Sequence, residues 1–231
     1  MNVVALIDHA ILHPTATDNA LVEGCELALK LGVASVCVKP YMVARAQSLI
    51  GDSPVGVGTV IGFPHGSNAT IVKGAEAEQA CIDGATELDM VVNVANVLSG
   101  NWEYVRADIA AVQLIAQSHS AILKVIFETD YLDNKQIIEL CNICTDLQVD
   151  FVKTSTGFGY TKRESGDYNY TGATIEHIRL MLENVSGNVQ VKASGGIRTY
   201  QDALTLAEMG VTRLGTSASQ AIADGGSGES Y

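Results

Sequence analysis

The chain has 231 residues, 47% of them hydrophobic, and a formal net charge of −12 at pH 7. That length suits one large α/β domain or two small ones with an ample buried core, and the apolar content excludes a disordered chain. The acidic balance lacks the basic face that a nucleic-acid partner needs, so an anionic ligand would have to be held by local groups rather than by the global field.

The chain starts Met1-Asn2-Val3-Val4-Ala5-Leu6-Ile7 without a basic segment, and Asp8 and His9 cut its first apolar run, so no secretory signal is expected. No apolar run approaches the roughly 18 residues of a membrane helix. The five cysteines are odd in number and scattered, which argues against a disulfide framework. These features point to a cytoplasmic, soluble protein with reduced thiols and no membrane partner.

Short β-branched or apolar runs at 5–9, 33–38, 55–61, 87–93, 121–127, 149–154, 189–193 and 211–214 are the expected strands. Helical patterns lie between them. In 17–31, Leu21, Cys25, Ala28 and Leu29 form an apolar stripe, and Val105, Ile109, Val112 and Ala116 do the same in 101–117. Ile137, Leu140, Cys141 and Cys144 form another, so the single Cys-x-x-Cys reads as core thiols rather than a metal site. Thr199-Tyr200-Gln201-Asp202 has the spacing of a capping box. No linker divides the chain before its Gly/Ser-rich end. The expected organisation is one domain over 1–224 and a flexible tail over 225–231.

Strand–helix alternation means parallel pairing with helical crossovers. Eight such units in 231 residues fit an α/β fold of the closed (β/α)8 TIM-barrel type, with an open doubly wound sheet as the alternative. In a barrel, reactive groups gather at the C-terminal ends of the strands.

Two lysines stand at such ends. Lys153 closes an apolar run and is followed by Thr154-Ser155-Thr156-Gly157; Lys192 repeats the pattern in Val191-Lys192-Ala193-Ser194-Gly195-Gly196. Taking an ammonium out of water is costly. A lysine whose pKa is lowered by burial and by a second cation is an amine nucleophile at neutral pH. Neighbouring strands lie about 4.8 Å apart, so the two lysines can meet if both point inward; either can instead snorkel to solvent. Asp89, in the apolar strand that carries Val91 and Asn93 on the same face, can move protons or can serve as a purely structural partner for a lysine. Lys124 can extend this network or point outward. Asp8 can pair with a lysine across the barrel or belong to a turn. Cys37 can line the mouth or sit in the core. Loops 154–157, 194–196 and 215–217 follow strands and can turn backbone N–H groups toward an anion. His9 and His13 lack ligand-like spacing, so no metal site is expected.

These segments together resemble the deoxyribose-phosphate aldolases, a family of class I aldolases with a (β/α)8 fold. The likeness rests on Ile7-Asp8-His9, Val36-Cys37-Val38, Val60-Ile61-Gly62-Phe63-Pro64, Glu87-Leu88-Asp89-Met90-Val91, Leu123-Lys124-Val125-Ile126, the stretch from Phe151 to Phe158 and that from Val191 to Arg198. It implies that Lys153 forms a Schiff base, Lys192 keeps it unprotonated, Asp89 belongs to a proton relay and Asp8 contacts Lys192. Gly157, Gly195, Gly196 and Ser217 would lie near a substrate phosphate, with Cys37 and Lys124 counted among the binding residues. The implied reaction is reversible cleavage of 2-deoxy-D-ribose 5-phosphate to D-glyceraldehyde 3-phosphate and acetaldehyde, without metal or organic cofactor. Its partners would be phosphorylated sugars and aldehydes; a homo-oligomer is left open. Tyr231 would match a tail tyrosine that reaches the site in some relatives.

The chain departs from the family at Lys39, where Asn is usual, and at Ala10 and His13, where Thr and Lys are usual. The polar segment 159–171 is longer than in many relatives, and Lys162 or Arg163 there could add phosphate contacts or the loop could reshape the pocket. Two alternatives follow: a class I aldolase with a different aldehyde acceptor, or a sugar-phosphate-binding barrel without turnover.

Overall fold

Eight short runs rich in β-branched residues become the strands of one parallel, closed barrel in the computed structural model, which describes residues 1–162, 165–226 and 228. In chain order they are β1 (Ile7–Ile11), β2 (Ser35–Val38), β3 (Gly56–Ile61), β4 (Glu87–Val91), β5 (Ile122–Ile126) and β6 (Phe151–Lys153), then β9 (Gln190–Ser194) and β10 (Arg213–Thr216). A two-stranded antiparallel hairpin, β7 (Thr161–Lys162) with β8 (Tyr168–Asn169), interrupts the series outside the barrel. Around the barrel the strands run β1, β10, β9, β6, β5, β4, β3, β2, so each crossover feeds the neighbouring strand. The closed barrel was expected; the open-sheet alternative is not what forms.

The strands begin and end where local chemistry competes with the run of apolar residues. Residues Val3–Leu6 form a 3-10 turn, so β1 starts at Ile7. Gly32, in the left-handed conformation, ends α1 (Asp18–Leu31) and passes the chain to β2 through Val33 and Ala34. The fourth run was expected to reach residue 93, but Asn93 leaves the sheet. Its side chain accepts from Asn96 N–H and caps α4 (Val94–Leu98). The expected shared face of Asp89, Val91 and Asn93 therefore stops at Val91.

The outer helices are α1, α2 (Val43–Ile50), α3 (Thr70–Ile82), α4, α5 (Trp102–Ser118), α6 (Asn134–Asp146), α7 (Ile175–Asn184), α8 (Tyr200–Glu208) and α9 (Ser219–Ala223). Thr17 caps α1, and Thr199 with Asp202 forms the capping box read in the sequence. Leu21, Cys25, Ala28, Ile109, Val112, Cys141 and Cys144 are buried between helices and barrel, so the apolar stripes face inward as expected. Leu29, read as part of the first stripe, is exposed instead. The five cysteines are free thiols.

The expected tail begins with contacts to the body: Gly226 N–H donates to Ala221 and Gly228 N–H to Arg198. Ser227, residues 229–231 including Tyr231, and Arg163 with Glu164 lie outside the described residues. Among the described residues no helix is long and apolar enough to cross a membrane.

One buried ion pair braces the shell. Lys73 of α3 donates to Asp108 of α5 at 2.5 Å and to Val91 O, at the end of β4, at 2.9 Å; Thr70 Oγ1 donates to the other Asp108 oxygen. Both charged side chains are essentially inaccessible. Removing one partner leaves the other charge buried and uncompensated, so Asp108→Ala is expected to cost about 3–5 kcal/mol in urea unfolding. Adding Lys73→Met should recover much of that loss; a double variant as unstable as the single one would show that the charge is not the cause.

Candidate active site

Alternation along the strands decides which side chains enter the barrel, and here it brings in charge. Parallel barrels usually fill this space with branched apolar residues. In register across the sheet, Asp89 pairs with Lys124, Lys153 with Lys192, and Lys192 with Arg213. Register partners point to the same side, so these groups converge. Room for them comes from strands that carry glycine: a Cβ on Gly215 would lie 2.9 Å from Ser194 Oγ and 3.2 Å from Lys192 Cε.

Asp89 is the hub. Its Oδ2 accepts from Lys153 Nζ at 2.6 Å and from Lys192 Nζ at 2.7 Å, while Oδ1 accepts from Lys124 Nζ at 2.8 Å. Lys192 also donates to Asp8 Oδ2 at 2.5 Å. Asp8 Oδ1 accepts from Ser35 Oγ and from Arg213 Nη1. Glu87 closes the network by accepting from Lys124 at 2.6 Å and from Arg213 at 2.9 Å. The Arg213 guanidinium stands 5.3 Å from the centre of the Phe151 ring. The lysines, Asp8 and Asp89 are all at most 3% exposed.

Three carboxylates thus face four basic groups, an excess of one positive charge if all are ionised. A buried interior tolerates such an excess poorly, and the most weakly held proton is the first to go. Burial would lower Lys124, but Asp8, Asp89 and Glu87 hold it well above the ordinary lysine value. Burial would lower Lys192 too, but Asp8 and Asp89 raise it. Arg213 is raised against the effect of burial by Asp8 and Glu87. Lys153 goes the other way: burial, assisted by the Lys192 cation, outweighs Asp89 and holds it below the ordinary value. Asp89, despite burial, is held well below the carboxylate range by Lys124, Lys153 and Lys192. The arrangement therefore stores an ionised carboxylate against an amine that gives up its proton more readily than its neighbours.

Above these groups lies a cavity at the C-terminal end of the barrel. Asp8, Lys153 and Lys192 form its floor, Ala10, Leu12 and Cys37 one wall, and the three small-residue loops the other, with Gly157, Gly195, Gly196 and Ser217 among its lining. Gly195 and Gly196 both have positive φ, a backbone form that can gather N–H groups around an anion. Cys37 lines the cavity as a neutral thiol, its pKa pushed up to about 11 by burial and by Asp89.

Lys124 is not part of the cavity lining. It lies deeper, because its strand position is level with Asp89 rather than with the strand ends, and there it is part of the charge network through Glu87 and Asp89. Lys39 holds the turn before α1 by donating to Ala16 O at 2.7 Å. Lys162 is exposed on the hairpin and does not line the cavity. His9 bonds Ser219 at 2.8 Å and is kept neutral by burial, with a pKa of about 4. Among the described residues no cluster of His, Cys, Asp and Glu is arranged to hold a metal.

Glu87, Arg213, Glu128 and Tyr170 are not among the site residues expected from the sequence. Glu87 and Arg213 had a signal: each lies two residues from an inward position on its strand. Glu128 and Tyr170 had none, since both are in connections. Glu128 follows β5 with a left-handed φ of 57°. It is buried and accepts from the Thr156 N–H and hydroxyl, and Thr156 Oγ1 accepts in turn from Phe158 N–H. Burial, with a smaller push from Asp130, raises Glu128 to about 7 against the Thr156 hydrogen bonds.

The sequence matches the description DeoC/LacD family aldolase over residues 2–218. It is 45% identical over 216 residues to the deoxyribose-phosphate aldolase of Rhodopirellula baltica, covering 94% of this chain and 86% of that one. Against the deoxyribose-phosphate aldolase of Caldanaerobacter subterraneus subsp. tengcongensis the identity is 43% over 225 residues, 97% and 93% of the two chains. Among solved structures, the tetrameric deoxyribose phosphate aldolase from Aeropyrum pernix superposes with a TM-score of 0.85 at 30% identity, covering 96% of this chain and 89% of that one.

Glu128 sets a pH dependence. Its folded pKa, about 7, lies above its ordinary 4.5, so its contribution to stability is full below the lower value and is lost as pH rises through the higher one. The fall in melting temperature from roughly pH 5 to 8 should be shallower in Glu128→Gln than in the wild type. Parallel curves for the two proteins would exclude Glu128 as the titrating group.

Proposed function

The chain belongs to the DeoC/LacD family of aldolases, and from that premise we propose that it cleaves 2-deoxy-D-ribose 5-phosphate reversibly through a Schiff base on Lys153. It is a lyase of the aldolase type. One observation carries the assignment of roles: a single oxygen of Asp89 joins Lys153 to Lys192 under the cavity, and of the four basic groups Lys153 alone is held below its ordinary pKa.

The uncharged Lys153 amine attacks the C1 aldehyde of the open-chain sugar, and loss of water leaves a protonated imine. The imine draws electrons from the C2–C3 bond as the C3 hydroxyl gives up its proton. D-glyceraldehyde 3-phosphate departs and an enamine remains. Protonation at C2 and hydrolysis then release acetaldehyde and restore the amine. Asp89, within hydrogen-bond reach of the reacting nitrogen, serves this proton traffic together with a water molecule. Lys192 keeps its proton, tied down by Asp8, and its charge disfavours protonation of Lys153. Gly157, Gly195, Gly196 and Ser217 would hold the phosphate and so fix the distance of C1 from Nζ. Cys37 and Leu12 give the small aldehyde an apolar wall.

A homo-oligomer is proposed on the precedent of the tetrameric relative from Aeropyrum pernix. Free, largely buried thiols suit a cytoplasmic location.

Incubation with acetaldehyde and borohydride is expected to leave an N-ethyl group on Lys153 in peptide maps; a map with Lys153 unmodified would overturn the mechanism. Lys153→Ala should abolish turnover with the circular dichroism spectrum unchanged. In Lys192→Met the loss of a neighbouring cation raises the pKa of Lys153, so less free amine is present near neutrality. The acidic limb of the kcat/KM profile should therefore move to higher pH. A limb that stays in place would remove Lys192 from its assigned part.

A further inference from the structure

We propose that Tyr170, delivered to the cavity by the β7–β8 hairpin, is a specificity-determining residue whose ring roofs the 195–196 loop and selects phosphorylated substrates. This rests on the aldolase reading above and extends it to the segment in which the chain departs from the family it resembles.

The hairpin is held at both feet by one turn of the barrel. Tyr131 OH accepts from Tyr160 N–H at 2.7 Å, and the adjacent Asp130 accepts from Thr171 N–H at 2.5 Å and from Gly172 N–H at 3.1 Å. Between these feet the rings of Tyr160 and Tyr168 stack with centroids 4.5 Å apart, and Thr161 Oγ1 donates across to Asn169 O. The C-terminal foot presses on the cavity wall. Ala173 N–H donates to Gly195 O, and a Cβ on Gly172, where φ is +82°, would lie 2.5 Å from that same oxygen. Glycine is required there, and the approach is close enough to set the position of Tyr170 two residues earlier.

The ring is accordingly placed over the loop: a Cβ on Gly195 would lie 3.7 Å from Tyr170 Cδ2. Tyr170 lines the same cavity as Lys153, Gly196 and Ser217. A phosphate bound by backbone N–H groups there would have an aromatic plane beside it instead of bulk water. Excluding water lowers the local dielectric and strengthens each N–H to phosphate contact. A tyrosine ring supplies that cover at small conformational cost, since it has few rotamers to lose. The benefit goes only to substrates that carry the anion, because 2-deoxyribose without phosphate leaves the loop empty.

The test compares wild type, Tyr170→Phe and Tyr170→Ala on 2-deoxyribose 5-phosphate and on 2-deoxyribose. In Tyr170→Ala the KM for the phosphorylated sugar should rise about tenfold with kcat within about twofold, while constants for 2-deoxyribose stay within about twofold. Tyr170→Phe keeps the ring and should retain the wild-type preference. A preference unchanged in Tyr170→Ala, or lost equally in Tyr170→Phe, overturns the proposal. Thermal stabilisation by inorganic phosphate reports the same loop without turnover. It should weaken in Tyr170→Ala and persist in Lys153→Ala; equal stabilisation of wild type and Tyr170→Ala overturns the roof. A wild type that cleaves neither sugar would refute the aldolase reading, and the phosphate measurement would still decide the part played by Tyr170.

Discussion

The shared Oδ2 of Asp89 is the contact on which the rest of this structure depends. It puts two ammonium groups within hydrogen-bond reach of one oxygen in a buried space. Neither lysine is stable there alone, because a buried cation without a partner shifts its pKa or unfolds the site. Together they compete for the same carboxylate, and the competition is uneven. Among the described residues Lys192 has a second carboxylate in Asp8, and Lys153 has none. That asymmetry, one hydrogen bond wide, separates the two lysines: Lys192 is raised above its ordinary pKa and Lys153 is held below it, the difference on which the proposed nucleophile rests.

The surrounding barrel makes the asymmetry durable. Glu87, Lys124 and Arg213 surround this contact, and each is tied to at least one group of opposite charge. A network of this kind adds little net stability, since desolvation offsets most of the attraction. Its value lies in holding charges at fixed positions before substrate arrives. Stability comes instead from the apolar shell between strands and helices, where Val, Ile and Leu side chains are almost wholly buried. A buried ion pair in that shell, Lys73 with Asp108, ties two helices to the end of β4, the strand that carries Asp89.

A second level of organisation comes from the turn after β5. Within four residues it grips Thr156 through Glu128 and both feet of the hairpin through Asp130 and Tyr131. The connection that follows Lys153 is thereby held from outside its own strand. Strain is stored in this turn in the left-handed backbone of Glu128, whose carboxyl burial raises to about 7. The strained turn grips Thr156, which lines the cavity, so the wall is supported from outside its own strand.

The sequence by itself determined the barrel and the strand-end positions of Lys153 and Lys192, because both rest on local, repeating signals. Period-two runs, helical stripes, the cap at Thr199 and a lysine ending an apolar strand are all visible within a few residues. Strand ends were less legible: Asn93 prefers to cap a helix over extending β4, a choice between two local options of similar strength. The level of Lys124 and the partners of Arg213 needed the register between strands, which no single strand encodes. Glu128 and Tyr170 needed still more. They lie in connections without periodicity, 42 positions apart, and meet the site only because the closed sheet sets β5, β6 and β9 side by side. Tertiary structure alone decided which lysine shares its one carboxylate and which holds two, and which residues line the cavity, since both depend on distances between residues far apart in the chain.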